Sequence, residues 1–396
     1  MNVLVAVDAR LYRTPDGRVW CKTIYGYDFW TRYLSAFDDI TVISRLGNAK
    51  IDEVQGWLQS DGPHVRFIGM PMVRGPKGYI IHFTSFLLSA ISASVKSDCA
   101  IVRLPSLSAT FVERIYELLK KPYAIEVVAD PQNAYREKPI AAKLLSCLLK
   151  RACLHANGVS YVTQFALQND YPCKARIQSH QDERYFESYY SSIILRKEFF
   201  TGPRNYGPMH HRIRLIHTAN NINNDVKGHD VVIKVVKKLS DAGINATVTF
   251  IGDGDRRVEL EHMAEELGIG DRVRFTGLLS SSREVRDRLL GADLFIFPTK
   301  AEGLPRAVIE AMAVGLPCLS TPVNGIPELL PPQYMFNPMD VDGFANKIIQ
   351  LISNPEEMSQ MSKMNIHKAR EYEYEILDKR RCCFYSKLKK IVHAKT

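Results

Sequence analysis

Little in this 396-residue chain points to a specialised class. Its eight cysteines are scattered, and only Cys382 and Cys383 are adjacent. Without CxxC spacing, neither a zinc site nor a redox motif is indicated. The chain is too long to read as a disulfide scaffold, so reduced thiols are expected. No long apolar run is present. The most apolar stretch, Tyr79 to Val95, is broken by His82, Thr84, Ser85, Ser89, Ser92 and Ser94. It is short and polar for a membrane span and reads as a core or interface helix. The opening "MNVLVAVDAR" lacks a charged n-region and a cleavage site and reads as a first strand. No G-x-G-x-x-G follows that strand, and there is no Walker A lysine pattern. The eleven histidines form no HExxH, and His210–His211 reads as linker. Dehydrogenase, P-loop and zincin readings therefore have no support.

Hydrophobic residues make up 46% of the chain and charged residues 24%, an ordinary globular balance that argues against disorder. The formal net charge of +9 suits an anionic partner such as a phosphorylated metabolite, an acidic membrane or nucleic acid. Extra surface lysine would give the same number. The aromatics do not interleave regularly with a basic stripe, so no nucleic-acid partner is expected.

The length suggests two or three domains. Short Val- and Ile-rich runs alternate with helical patterns throughout. Strands are expected at Val3–Asp8, Ile40–Ser44, Val65–Gly69, Ala100–Leu104, Tyr123–Val128 and Val159–Thr163. A second series falls at Arg214–Thr218, Thr247–Ile251, Val273–Thr276, Leu294–Pro298 and Cys318–Thr321. Such alternation predicts an α/β fold with doubly wound parallel sheets. "FFTGPRNYGPMHHRIR" breaks the pattern with Gly202, Pro203, Gly207 and Pro208. The expected division is a domain over 1–200, a linker over 201–212, a second domain over 213–373, and a basic helix over 374–396 packing back toward the first domain.

The richest stretch is "AEGLPRAVIEAMAVGLPCLSTPVNGIPELL", Ala301 to Leu330. Pro305 suits a first helical turn, and Gly315 and Pro317 stop the helix. The free N–H groups at the helix start attract an anion such as phosphate, and Gly303 permits close backbone approach. Glu310, about one turn in, can accept hydrogen bonds from vicinal ribose hydroxyls. Glu302, in the loop, can reach a sugar beyond the phosphates. The two acids would thus bracket a sugar–diphosphate–ribose ligand. Two glutamates at this spacing alone would favour an ordinary helix, with Glu302 complementing its dipole and Glu310 facing solvent; the surrounding residues reverse that balance.

The surrounding residues resemble the group 1 glycosyltransferases, family 4, including bacterial surface-polysaccharide members. The likeness rests on E-x7-E, "EAMAVGLP", "NGIPEL", the upstream "VKGHDVVIKVVKKL" and the "IGDG" block. It is strong over Arg214–Ile352 and weaker over the first half, where "DARLYRTPDGRVW" carries it. The resemblance implies a GT-B fold, two Rossmann-like domains facing a central cleft. It also implies sugar transfer from a nucleotide diphosphate-sugar, with retention of configuration and no metal or other cofactor.

Carried over by motif, Glu302 contacts the donor sugar and Lys227 neutralises the departing diphosphate. Gly303, Leu304, Pro305 and Arg306 face the diphosphate, and Glu310 holds the ribose. Gly252 and Asp253 lie near the nucleotide, Leu278 and Leu279 near the base, and Gly325 near the donor. The "GDGD" of Asp253 and Asp255 is accordingly read as part of this block, not as a metal site. One departure stands out. Where many members carry an arginine before the lysine, "HTANNINNDVKG" places Asn220 and Asn221. Arg306 or Lys300 would then have to supply the second cation.

In the first half, "YAIEVVADPQNAY" ends a strand with Glu126, Asp130 and Asn133. Asp130 could assist deprotonation of an acceptor hydroxyl, and Glu126 could help bind the acceptor. Asp-Pro and Asn are also ordinary turn formers. The loop "RLYRTPDGRVWCK" offers Arg13 and Lys22 to an anionic acceptor such as a lipid diphosphate. "EKPIAAKLLSCLLKRACLHA" has basic residues among leucines and could lie on an anionic membrane. The expected location is cytoplasmic, with peripheral contact on the inner membrane face. The expected partners are a nucleotide-sugar donor and a saccharide or lipid-linked acceptor. Two alternatives stay open: a GT-B epimerase or phosphorylase, and a non-catalytic sugar-nucleotide binding subunit.

Overall fold

The computed structural model describes residues 1–179, 181–208 and 212–394; His210 and His211 lie outside the described residues. The chain divides into two compact units, Met1–Tyr190 with Asp378–Thr396, and Ser191–Leu377. The division falls at Tyr190/Ser191, upstream of the expected 201–212 linker. Arg204 shows why the later segment belongs to the second unit. Its guanidinium donates to the carbonyls of Val314 (2.8 Å), Ala292 (2.6 Å) and Leu289 (3.0 Å).

The first unit holds β1 (Asn2–Arg13), β2 (Val19–Cys21), β3 (Asp39–Asn48), β4 (Leu58–Gln59), β5 (Val65–Met70), β6 (Cys99–Leu104), β7 (Tyr123–Val127), β8 (Gly158–Tyr161) and β9 (Phe186–Tyr189). Its parallel core runs β5-β3-β1-β6-β7-β8-β9. β6 and β7 are buried from end to end, which explains their unbroken apolar runs. The expected loop over Arg10–Lys22 is instead a hairpin: β1 continues to Arg13 and pairs antiparallel with β2. The expected single helix over Tyr79–Val95 is two, Gly75–Ile81 and Phe83–Val95, parted at His82.

The second unit holds β10 (Arg212–Asn221), β11 (Asn245–Asp253), β12 (Val273–Phe275), β13 (Leu294–Ile296) and β14 (Cys318–Leu319), all parallel, in the order β12-β11-β10-β13-β14. Helix His229–Asp241 buries Val231, Val232, Val235, Val236 and Leu239 against this sheet. The fold is GT-B, with two Rossmann-like domains. Among the described residues, no helix is long and apolar enough to cross a membrane.

Two charges lie deep in the first unit. Arg103 and Glu126 are register partners on β6 and β7 and form a buried ion pair. The Glu126 carboxylate also accepts from Tyr33 (3.1 Å), Tyr190 (3.0 Å) and Tyr385 (2.8 Å). Burial alone would raise this carboxyl; Arg103 and the Tyr385 hydroxyl outweigh it and hold it below the ordinary range. Tyr385 comes from helix Tyr374–His393, so the carboxylate ties the chain's last helix to its central sheet.

Tyr385→Phe should cost about 1–2 kcal/mol in urea unfolding, the price of one lost donor to a charged group. Glu126→Gln should cost roughly 3 kcal/mol or more, because it leaves Arg103 buried beside a neutral partner. With a depressed folded pKa, the wild-type network is fully stabilising at neutral pH. Its contribution is lost as pH falls below the usual carboxylate range, and the gap between wild type and Glu126→Gln should close there.

Candidate functional site

In the β12-β11-β10-β13-β14 order, chain direction across the sheet reverses between β10 and β13. Ligands of open parallel sheets bind beyond the carboxyl ends of the strands at such a switch point. Lys227 follows β10 and Glu302 follows β13, so both loops open from that point.

The two loops are bound tightly together. Gly228 takes φ 71°, and a Cβ there would strike the Pro298 carbonyl oxygen. Only glycine allows this approach and this backbone angle together. The Lys300 N–H donates to the Val226 carbonyl (2.8 Å), and the Thr299 hydroxyl donates to the same oxygen (3.2 Å). Lys227 Nζ reaches the Ala301 carbonyl (3.2 Å) and forms an ion pair with the Glu302 carboxylate. The Asn324 amide donates to the Glu302 carbonyl, and the Gly325 N–H to the Gly303 carbonyl (2.9 Å). Lys227, Glu302, Gly303 and Gly325 therefore occupy one small region.

Helix Arg306–Ala313 begins beside them. It buries Val308, Ile309, Ala311 and Met312, while Pro305 at its N-cap offers no side-chain acceptor. Leu304 and Pro305 are buried and Arg306 is exposed. The first N–H groups are left open to an anion. Glu310 sits one turn in, partly buried. Loss of water pushes its carboxyl up to about 7 against a weaker opposing pull from Arg306. Such a shift in an uncompensated acid is a mark of functional sites.

The other residues that the resemblance assigns to the donor lie at or just past the ends of β10, β11 and β12. Asn220 and Asn221 are exposed at the end of β10, and the Asn221 side chain accepts from the Asn223 N–H (2.9 Å). Gly252, at φ 141°, lies so close to β10 that a Cβ would overlap the Ala219 carbonyl. Asp253 accepts from the Gly254 N–H (2.9 Å) and lies 3.8 Å from Arg257. It does not cap the following helix, whose N-cap is Arg256. Leu278 is 63% exposed just past β12, and Leu279 is partly buried. Lys300 is ion-paired with Asp225, so it is not an unengaged replacement for a missing arginine. No group of three His, Cys, Asp or Glu among the described residues is arranged to hold a metal.

Two histidines escaped the sequence reading. His217, on β10, is fully buried with Nε2 2.8 Å from the Lys227 carbonyl. His229, just after Gly228, packs against it with ring centroids 4.4 Å apart and the rings tilted by 53°. Burial pushes His217 down to about 4 and His229 down to about 2, so both are neutral at pH 7. They support the Lys227 backbone without adding charge beneath it. A histidine inside the apolar run "RIRLIHTA" was the available signal.

The first-unit candidates need correction. Asp130 is buried as the N-cap of a short helix, accepting from Gln132 N (3.0 Å), Asn133 Nδ2 (2.8 Å) and Tyr171 Oη (2.6 Å). That is the turn-former role. Glu126 is committed to Arg103 and three tyrosines and presents nothing to an acceptor. Lys22 lies over the Trp57 ring at 4.3 Å, and Arg13 is exposed on the hairpin. None of the four is brought to a common point as an acid–base or anion-binding group.

Residues 215–368 match the family model for glycosyl transferases group 1. Protein CapJ of Staphylococcus aureus is 29% identical over 80% of this chain and 78% of its own length. The Vi polysaccharide biosynthesis protein VipC/TviE of Salmonella typhi is 45% identical, over 20% of this chain and 13% of its own. HepE of Anabaena, solved in complex with UDP-glucose, superposes with a TM-score of 0.66 at 14% identity and covers all of both chains. The fold is thus that of the GT-B class. Through residues 215–368 the chain is similar to the group 1 glycosyltransferases.

The raised Glu310 acid gives a stability test. Its folded pKa of about 7 lies above the unfolded value, so ionisation at higher pH destabilises the ligand-free protein. Glu310→Gln should raise unfolding stability by on the order of 1–3 kcal/mol at pH 8, and the gain should shrink as pH falls below 7 and vanish only below about pH 4, under the unfolded carboxyl pKa. A denaturation series across that range reads it.

Proposed function

We infer that this enzyme transfers a sugar from a nucleotide diphosphate-sugar to a hydroxyl acceptor, with retention and without a metal, in polysaccharide or glycolipid assembly. The observation that carries the reading is the pair of acids on either side of an uncapped helix start at the sheet's switch point, with Lys227 beside them. The UDP-glucose complex of HepE and the polysaccharide role in the name of VipC/TviE support it. In this reading the diphosphate binds at the N–H groups of Arg306–Val308. Glu310 accepts from the ribose hydroxyls, and Leu278 and Leu279 line the base.

The ligand-free ion pair between Lys227 and Glu302 shapes the reaction. An arriving diphosphate competes for Lys227 and releases Glu302 toward the donor sugar. As the glycosidic C–O bond breaks, negative charge grows on the leaving phosphate, and the fixed Lys227 cation stabilises it. The acceptor hydroxyl attacks the anomeric carbon on the face the diphosphate leaves, and its proton passes to the departing phosphate oxygen. The acceptor is a saccharide or lipid-linked chain, and peripheral membrane contact on the cytoplasmic side belongs to the same reading.

Lys227→Ala should lower nucleoside diphosphate release by about 100-fold or more in kcat/KM, the scale of one lost charge stabiliser. Wild-type turnover in that variant would overturn the assignment. Glu310→Ala should weaken donor binding, read by thermal shift against a panel of nucleotide sugars. A second reading, a sugar-nucleotide binding subunit without turnover, draws on the uncharged Asn220 and Asn221 and on the tie between Lys300 and Asp225. Donor stabilisation with no diphosphate release across a broad acceptor panel would select it.

A further inference from the structure

The first unit carries an apolar surface that the sugar chemistry does not use. Helix Phe83–Val95 has no charged residue. Its inward face buries Phe86, Ala90, Ala93 and Ser94. Its outward face shows Leu88, Ile91 and Val95, which are 66%, 38% and 64% exposed. Their three- and four-residue spacing places them on one stripe. At the elbow before this helix the stripe widens: Ile80 is 75% exposed, Ile81 74% and Phe83 52%. A helix apolar on both faces has a reason to leave water on its outer side too.

A second helix continues the pattern. Phe83–Val95, Leu107–Leu118 and Pro139–His155 are the connections β5–β6, β6–β7 and β7–β8. All three progress in the same direction across a parallel sheet, so right-handed crossovers put them on one face. Pro139–His155 turns Ile140 (86% exposed) and Leu144 (53%) outward.

Charge selects the occupant. Residues 71–97 hold Arg74, Lys77 and Lys96 and no acid. Residues 138–156 hold Lys138, Lys143, Lys150 and Arg151 and no acid. Glu137 and Asp98 lie only at the edges of these segments, and Glu117 between them is paired with Arg151, so exposed aliphatics rimmed mainly by cations remain complementary to anionic headgroups over acyl chains. A protein partner of mixed charge would not call for the removal of every carboxylate from both segments.

We propose that the outer faces of Phe83–Val95 and Pro139–His155, with the Ile80–Ile81 elbow, dock this enzyme on the surface of an anionic lipid bilayer. Exposed Ile81, Leu88 and Ile91 enter the headgroup–acyl boundary, and Lys77, Lys96 and Lys143 sit at the phosphates. This deepens the membrane-contact part of the proposed function without using its chemistry.

The test is co-sedimentation of the full chain with vesicles, in the absence of any donor, so its result is independent of the transferase reading. Partition into mixed phosphatidylglycerol–phosphatidylcholine vesicles should exceed that into phosphatidylcholine alone by about tenfold, and should fall with salt. The triple variant Ile81→Glu, Leu88→Glu, Ile91→Glu should lose that binding by about tenfold or more while keeping the wild-type thermal melt. Lys77→Glu with Lys96→Glu and Lys143→Glu should remove the preference for anionic vesicles. Equal binding to both vesicle types, or binding untouched by the triple variant, would overturn the proposal. So would a lipid-free dimer in sedimentation equilibrium that the triple variant abolishes, since that would assign the face to a second copy.

Discussion

The candidate site depends on one backbone contact, Gly228 against the Pro298 carbonyl. It brings the loop after β10 against the loop after β13, and everything charged in the site hangs from those two loops. Val226 then accepts from Lys300 and Thr299, and Lys227 comes within reach of Glu302. A side chain at 228 would push the loops apart by more than a hydrogen bond can follow. The buried His217 completes the arrangement by meeting the Lys227 carbonyl from below. Burial keeps its ring neutral, so it adds no charge beside the lysine.

The site's charges are unevenly satisfied, and the unevenness has a direction. Lys227 and Glu302 neutralise each other, as do Lys300 and Asp225. Glu310 has no such partner, and its acid is raised to about 7. Satisfied pairs hold loop geometry at little cost. An unsatisfied carboxylate destabilises the ligand-free protein and is relieved only by donors from outside. Hydroxyls that favour the ionised form lower its pKa, so binding energy is returned at the place where folding lost it. The open N–H groups at Arg306–Val308 follow the same logic with opposite sign.

Much of this was legible in the residues. The strand series was readable because parallel strands buried on both faces are continuous apolar runs, as in "CAIVRL" of β6. The uncapped helix start at Arg306 was readable because Gly-Leu-Pro precedes it and Gly315 and Pro317 stop it. The first-half candidates failed for a different reason. Asp130 and Glu126 stand at or near a strand's end, which is where a catalytic acid would also stand. Asp130 caps its own turn through Gln132 and Asn133, the turn-former role already open in the residues, but its tie to Tyr171 is 41 residues distant, and the partners of Glu126, Tyr33, Tyr190 and Tyr385, are 93, 64 and 259 residues distant. No local pattern reports such contacts. The hairpin of β1 and β2 was missed because Pro15, Asp16 and Gly17 mark a turn, and turn residues look alike in a hairpin and a loop.

Glu126 and Glu302 make the distinction physical. Both are glutamates beyond or within a parallel strand's carboxyl half, and each is paired with a cation. Glu126 is 3% exposed and accepts from three hydroxyls besides its arginine, so every lone pair is used and the group can only hold structure. Glu302 has a single lysine partner at a partly open position, and that lysine also touches the Ala301 carbonyl. A competing anion can take the lysine and leave the carboxylate free to accept from sugar hydroxyls. Removing Glu126 from its partners would strand a buried guanidinium, whereas parting Glu302 from Lys227 exposes both to ligand or water. The number of donors around a carboxylate, and the depth at which they lie, separates the acid that folds the chain from the acid that can work on a substrate.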